Sequence, residues 1–348
     1  MLRNIWRLRF AALVVLAIII IYSYITSKTS NSKSSNANEK VFLWCTFSRV
    51  KDYDTRFKTK FSNFVTSLKQ YSDVAVSLNV IVDDDSENIA KQILENVFGN
   101  STTAEHDNQI EVFYHSINPI VMQLEDMIET MKPFFTPGND TYYGNALFYI
   151  SLGLHKVVPH QQKKIILLDV DVQLRAPISR LYQHFYHFSP HALFGLSKEL
   201  SPVYYHILQK YRKKFPKSHL GLSSMENGNQ GFNSGVVLMD INKLRHSNVY
   251  KNVTKKSYVQ HLSSKYSFVG HLGDQDFYTL LSFEHPELVY TLPCQWNRSL
   301  CQWWKFHGYR DVFDKYFHCP GDIFMYHGNC NTPIDQEHIA QAGTLLIK

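Results

Sequence analysis

The sequence is most informative at first through what it lacks. No block of lysine and arginine interleaves with aromatics, and the net charge of +6 is spread over 348 residues. An electrostatic footprint for nucleic acid is therefore absent. No internal repeat is present, and low complexity is confined to one short stretch near the N-terminus. Cysteine is scarce: Cys45, Cys294, Cys301, Cys319 and Cys330 are the only five. Their spacing is too wide for paired CxxC zinc knuckles. With 44% hydrophobic and 19% charged residues, the rest of the chain has the composition of a globular domain with a large core.

The N-terminus departs from that composition. Arg3, Arg7 and Arg9 precede an uncharged apolar run of sixteen residues, Phe10 to Ile25. This is slightly shorter than the roughly 17–25 residues of most membrane spans. The arginines hold their end in the cytosol, and Lys28 and Lys33 weaken that bias without reversing it. The competing reading is a cleaved signal peptide, but no small-x-small site follows Ile25. The stretch 26–40, rich in Ser, Asn and Lys, cannot bury enough surface to fold. The expected layout is a cytosolic tail (1–9), a transmembrane anchor (10–25), a stem (26–40) and a lumenal domain (41–348), in the membrane of the endoplasmic reticulum or Golgi. Four cysteines in the last quarter allow three pairings, which spacing cannot decide. Cys45, inside an apolar run, reads as a buried free thiol. Sequons at Asn100, Asn139, Asn252 and Asn297 fit a secretory compartment, each weakly.

Along 41–348 apolar runs alternate with helical patterns. VFLWCTF (41–47), VAVSLNVIV (74–82), IEVFYHSI (110–117) and KIILLDVDV (164–172) read as strands. Residues 57–71, 86–98 and 144–157 read as helices. The alternation predicts an α/β domain with a largely parallel sheet, and ligands in such sheets sit at the carboxyl ends of the strands. The second half is less regular. ALFGL (192–196), GFNSGVVLMDI (231–241) and GHLGDQDFYTLLSF (270–283) lead into a segment rich in aromatics and cysteine.

Asp169 and Asp171 follow IILL directly. On a strand, residues two apart share a face, so both carboxylates are expected to point one way. Like charges held that close call for a cation, and hard divalent ions with substrate phosphates answer the need. A solvated acidic loop is the plain alternative, made weaker by the apolar run. A phosphatase of the haloacid dehalogenase type also places DxD after an apolar strand, but near the start of its domain and with Thr or Val where Gln173 stands here. Further along, Gly231 and Gly235 permit close backbone approach, and Asn233 and Ser234 add donors and acceptors. Asp274, Gln275 and Asp276 sit in an apolar setting, and either a helix N-terminus or a sugar site fits them. His327 stands alone after a short apolar stretch, where a structural histidine is the ordinary reading.

The succession LLDVDV, FNSGVVLMD, GDQDF and a late YHGN resembles glycosyltransferase family 8 over most of residues 41–335. The C-terminal part, with HPEL, CQWNRSLCQWWKFHGY and YHGNCNTPI, is similar to its α-1,3-xylosyltransferase subgroup. The resemblance implies a GT-A (Rossmann-like) fold, a UDP-sugar donor and a divalent metal, commonly Mn²⁺ with Mg²⁺ also admissible. It makes Asp169, Asp171 and His327 the metal ligands, with Asp169, Asp171 and Gln275 the catalytic set. Ser48, Arg49, Val50 and Val170 would line the nucleotide, Ser234 and Gln275 would face the donor sugar, and Gly328 and Asn329 would approach the diphosphate. Many members carry a lysine a few residues after the histidine, and HGNCNTP has none. The subgroup also implies disulfides Cys294–Cys319 and Cys301–Cys330. Trp304 becomes a candidate acceptor platform beside Gln275, with a core tryptophan as its alternative. No carboxylate is evidently placed as a nucleophile, so retention by front-face attack is expected. The subgroup's substrates would be UDP-xylose and the xylose-glucose disaccharide on a serine of an epidermal-growth-factor-like repeat of the Notch type. A homodimer is left open. The alternatives are another family 8 UDP-hexose transferase and a non-catalytic lumenal sugar-binding protein.

Overall fold

A computed structural model describes residues 40–99, 110–136 and 146–344. The tail, the anchor, the stem before Lys40 and the sequons at Asn100 and Asn139 lie outside the described residues. Among the described residues no helix is long and apolar enough to cross a membrane.

The principal sheet has seven strands: β1 (Val41–Thr46), β2 (Val76–Val82), β3 (Ile110–Ser116), β4 (Lys164–Leu168), β6 (Phe194–Lys198), β7 (Phe232–Asp240) and β8 (Val289–Leu292). Their order is β3-β2-β1-β4-β7-β6-β8. The sheet is largely parallel, as the alternation predicts, but mixed. Only β7 runs against its neighbours, antiparallel to both β4 and β6. Beside it lies a second, three-stranded sheet of β5 (Val172–Leu174), β9 (Arg298–Ser299) and β10 (Met325–His327), with β10 in the middle.

The apolar runs form strands because both faces of the principal sheet are covered. Leu43 and Cys45 pack on one side with Phe61, Phe64 and Leu94, whereas Trp44 packs on the other with Leu124, Ile150 and Phe277. The same alternation sends Ile166 and Leu168 one way and Ile165 the other. Helices Thr55–Tyr71 and Asp84–Phe98 form one outer layer, and Ile117–Phe135, Ile150–Val157 and Asp274–Glu284 the other. The helix Ile117–Phe135 has no counterpart in the sequence reading. Of the helix expected over 144–157, Ala146–Tyr149 is a 3₁₀ turn and only Ile150–Val157 is α-helical.

The chain moves outward from β1 to β3 and then returns to place β4 on the other side of β1. That reversal makes the β1/β4 boundary the switch point, where a cleft opens at the carboxyl ends. One feature of that end differs from expectation. KIILLDVDV is not one strand: β4 stops at Leu168, and the chain turns through Asp169–Asp171 before starting β5 in the other sheet. The Asp169 N–H still donates to Gly235 O at 2.9 Å, in the register of the β4/β7 ladder, and the chain leaves that path just after it, where the Asp171 carbonyl accepts from Gly328 N and β5 takes β10 as its partner. In addition, Asp83 caps the helix Asp84–Phe98 by accepting from Ser86 N at 2.9 Å. It also accepts from the Ser48 hydroxyl at 2.5 Å and from the Arg49 N–H. Arg49 has φ 63°, a costly conformation for a residue with a Cβ, and Asp83 holds it there.

Candidate functional site

Three ligand atoms from Asp169, Asp171 and His327 lie within 4.8 Å of one another. His327 Nε2 is 3.3 Å from Asp171 Oδ1 and 3.5 Å from Asp169 Oδ2. The two halves of the cluster meet through a strand ladder. β10 pairs antiparallel with β5 so that His327 stands opposite Val172, one residue past Asp171. The Gly328 N–H then donates to Asp171 O at 2.8 Å and ties the two turns together. The pair of carboxylates thus converges through a turn between two sheets, not through the pleat of one strand.

The imidazole fits because residue 235 is glycine. A Cβ there would lie 2.3 Å from His327 Cε1, well inside contact distance. Its orientation comes from a chain of buried polar groups. Asn233 Nδ2 donates to Glu199 Oε2 at 2.8 Å, Asn297 Nδ2 donates to Asn233 Oδ1 at 2.8 Å, and Asn297 Oδ1 lies 2.9 Å from His327 Nδ1. The Gly235 N–H can only donate, and it reaches Asn233 Oδ1 at 2.9 Å, so that oxygen accepts and sets the direction of every link. The last link leaves Nδ1 as donor, so Nε2 is the ring atom that would ligate a metal held beside the two aspartates. Asn297 is 2% exposed. The reading of Asn297 as a glycan acceptor is corrected accordingly: its amide is built into the core of the site. Asn252, by contrast, is exposed.

The electrostatics suit a cation. Asp169 faces the cleft with 56% of its side chain exposed, and the surrounding protein raises its carboxyl above the ordinary range, His327 opposing the rise and Asp171 adding to it. Burial also pushes Asp171 upward, but His327 and Lys60 outweigh it and hold that carboxyl below the ordinary range. His327 is pulled down by burial and more strongly up by the two aspartates. Two carboxylate oxygens and one imidazole nitrogen form a donor set suited to Mn²⁺ or Mg²⁺ with open positions left for oxygen ligands.

Around the cluster, the remaining expected residues fall into distinct settings. Ser48 and Arg49 sit at the end of β1 in the turn that Asp83 holds. Val50 is buried and takes its N–H to Ser86 Oγ at 2.9 Å, and Val170 is 5% exposed between the aspartates. Ser234 donates its hydroxyl to Asp274 Oδ1 at 3.0 Å. The Gln275 amide is held at both ends: Oε1 accepts from Ser234 N at 3.3 Å, and Nε2 reaches Glu199 Oε2 at 3.3 Å and Tyr204 Oη at 3.4 Å. Burial raises Asp274 and Asp276 to about 7. Asn329 Oδ1 accepts from Ser299 Oγ at 2.8 Å and Cys301 N at 3.1 Å, bracing β9 against β10. The cysteines are joined as Cys294–Cys319 and Cys301–Cys330, and Cys45 is buried and free. Trp304 is partly buried, edge-on to Tyr309 at 5.0 Å and to Trp303 at 5.1 Å. Its neighbour Trp303 is the more open ring, 49% exposed and stacked on His307 at 3.8 Å.

Several residues at the site escaped the sequence reading, Glu199 and Asn331 among them. Asn297 was hidden inside a sequon. Lys60 lies in the helix Thr55–Tyr71 and reaches Asp171 Oδ2 at 3.1 Å across 111 positions, with no motif to mark it.

Comparison with known proteins agrees with this architecture. The mouse protein named Xyloside xylosyltransferase 1 is 38% identical over 262 residues, covering 75% of this chain and 66% of the relative, and its human counterpart is 37% identical with 75% and 65% covered. The chain therefore matches slightly less than two thirds of these relatives' length. The crystal structure of the mouse protein in its apo form superposes with a TM-score of 0.78 at 35% identity, over 85% of this chain and all of that one. The galactosyltransferase LgtC, crystallised with donor and acceptor sugar analogues, gives a TM-score of 0.51 at 15% identity over 89% of this chain and 97% of its own, a likeness of fold alone. The fold is thus of the GT-A type. With the family described as Glycosyl transferase family 8 matching residues 22–303, the chain belongs to that family of glycosyltransferases.

Proposed function

We propose that this glycosyltransferase moves xylose from UDP-xylose, with retained α configuration, in 1,3 linkage onto the xylose of a xylose-glucose disaccharide on an epidermal-growth-factor-like repeat. The observation that carries the reading is the Asp169–Asp171–His327 cluster, set in a fold that superposes on a xyloside xylosyltransferase. Asp169, Asp171 and His327 would hold a divalent cation, Mn²⁺ by choice, which supplies charge neutralisation to the departing diphosphate. The chain's own contribution is positioning. The Glu199–Asn233–Asn297 relay keeps His327 Nε2 aimed at the cleft, and Asp83 holds the Ser48–Arg49 turn at the nucleotide end. In the transfer, the bond from the anomeric carbon to the diphosphate oxygen breaks, a bond to the acceptor oxygen forms on the same face, and the acceptor proton passes to the departing phosphate. Ser234, Asp274 and Gln275 form one hydrogen-bonded group beside this path.

The same reading places residues 10–25 in the membrane of the endoplasmic reticulum or Golgi as an uncleaved anchor, with the catalytic domain in the lumen and homodimerisation open to test. A purified full-length chain incubated with Mn²⁺, a panel of UDP-sugars and the xylosyl-glucosyl repeat should incorporate xylose from UDP-xylose alone. Incorporation only from a UDP-hexose would replace the donor assignment.

A further inference from the structure

The ammonium of Lys60 sits at the junction of the metal cluster and a cavity. It donates to Asp171 Oδ2 at 3.1 Å and to Asn331 Oδ1 at 3.0 Å. His327 approaches the other oxygen of the same carboxylate, Oδ1, so the Asp171 group is shared between an imidazole on one side and an ammonium on the other. Beyond Lys60 opens a cavity of about 480 Å³ between the helix Thr55–Tyr71 and the turn after β10. Arg56, one helical turn before Lys60, lines it, as do Gly328 and Asn331. The acids on its wall are Asp171, already shared, and Asp335, which His338 engages through both its N–H and its ring. The cavity thus joins two cations to a carboxylate that also serves the metal cluster.

Lysine's ammonium has three donors, and two are taken by the partners named above. It also stands on a flexible four-carbon stem, able to follow a ligand over a few ångströms. A divalent ion beside His327 would place positive charge close to Lys60, and a neighbouring dianion would relieve that repulsion.

We infer that Lys60 is the diphosphate-binding cation of the donor site and couples nucleotide to metal: it opposes the metal when the cavity is empty and binds the diphosphate when the cavity is filled. This rests on the reading of the donor as a nucleoside diphosphate sugar, whichever sugar it carries. The charge-assisted bond is lost in Lys60→Met and kept in Lys60→Arg.

The test is titration calorimetry on the full-length chain with Mn²⁺ alone, then with UDP, UMP and uridine at saturating Mn²⁺. Thermal melting confirms that each variant is folded, and Lys60→Gln serves if the Met variant is not. The expected result for Lys60→Met is ten- to hundred-fold weaker UDP binding, a smaller preference of UDP over UMP, unchanged uridine binding, and Mn²⁺ binding without nucleotide equal to or tighter than wild type. Lys60→Arg should restore UDP affinity to within a few-fold. Two results overturn the inference: UDP affinity of Lys60→Met within two-fold of wild type, or Mn²⁺ affinity falling as far as UDP affinity does, which would make Lys60 a mere support for Asp171. A wild-type chain that binds UDP but transfers no xylose would sink the proposed reaction and leave the inference intact.

Discussion

The two halves of the metal cluster rest on different foundations. Asp169 and Asp171 leave a strand whose neighbours are largely buried: eight of the nine residues of β7 and four of the six of β1. Each large apolar side chain there contributes about 1.5–3 kcal/mol through burial. His327 comes from a segment whose strands β8, β9 and β10 have four, two and three residues. That segment is held by two disulfides, spanning 25 and 29 positions, and by buried polar groups such as Arg298, which bonds Phe317 O and Ala342 O. In the chain-entropy picture each crosslink contributes roughly 3–4 kcal/mol. One half is shaped by the hydrophobic effect and tolerates much. The other depends on a few specific bonds, each able to displace a ligand.

The largest effect should come from the robust side, because it can be altered without unfolding. Asp171→Asn removes one charged ligand and leaves the surrounding core in place. Transfer should fall by about 10³-fold, the scale of losing a preorganised electrostatic contact at a reacting centre. Mn²⁺ binding should disappear while circular dichroism and melting stay near wild type. Full activity of this variant in excess EDTA would contradict the assignment.

The same contrast explains what the sequence made legible. β1, β2 and β4 were readable because burial on both faces writes continuous apolar runs, β3 at the sheet edge because its β-branched and aromatic residues suit a strand, and their order placed Asp169 and Asp171 at the correct end. The turn that splits β4 from β5 was not readable. It depends on β5 leaving β7 to pair with β10, a strand more than 150 residues further along the chain. The helix Ile117–Phe135 went unread despite a regular apolar stripe. In the second region, the motif around His327 could be matched to a family, but no local pattern announces that Asn297 supports it or that Gly235 makes room for it. Those roles arise from tertiary contacts between segments with no shared periodicity.

The fragile side is probed next. Replacing Cys301 and Cys330 by serine frees the turn three residues after His327, where Cys330 and Asn331 both have positive φ. Mn²⁺ affinity should drop by about ten- to hundred-fold, the range for losing support around a ligand. Hydrogen exchange should quicken in 298–331 and hold steady in β1 and β2. Uniform loss of protection across both regions would show that the two are not separable. Asn297→Ala should cost somewhat less, about ten-fold in Mn²⁺ affinity, by releasing the His327 ring from its Nδ1 partner.

The smallest effect compares a histidine inside the first region with one packed against the second. His155 ends the helix Ile150–Val157, and burial lowers it to about 4, with Lys156 and Arg245 adding to the fall. His184 sits against Tyr290 and Trp296, and burial likewise lowers it to about 4, helped by His187 and Arg180. A histidine with a folded value below its unfolded one stabilises fully above about 6.5, and that contribution is lost as the pH falls from there toward 4. Melting in EDTA should therefore decline between pH 6.5 and 4.5, by about 1 kcal/mol for each group once partial exposure is discounted. His155→Gln should flatten the decline seen by hydrogen exchange in the helices Ile117–Phe135 and Ile150–Val157. His184→Gln should flatten it in β8 and the turn after it. If either variant flattened the decline in both places, acid would be opening the molecule as one unit, and the division into a robust and a fragile half would hold for ligand placement but not for stability.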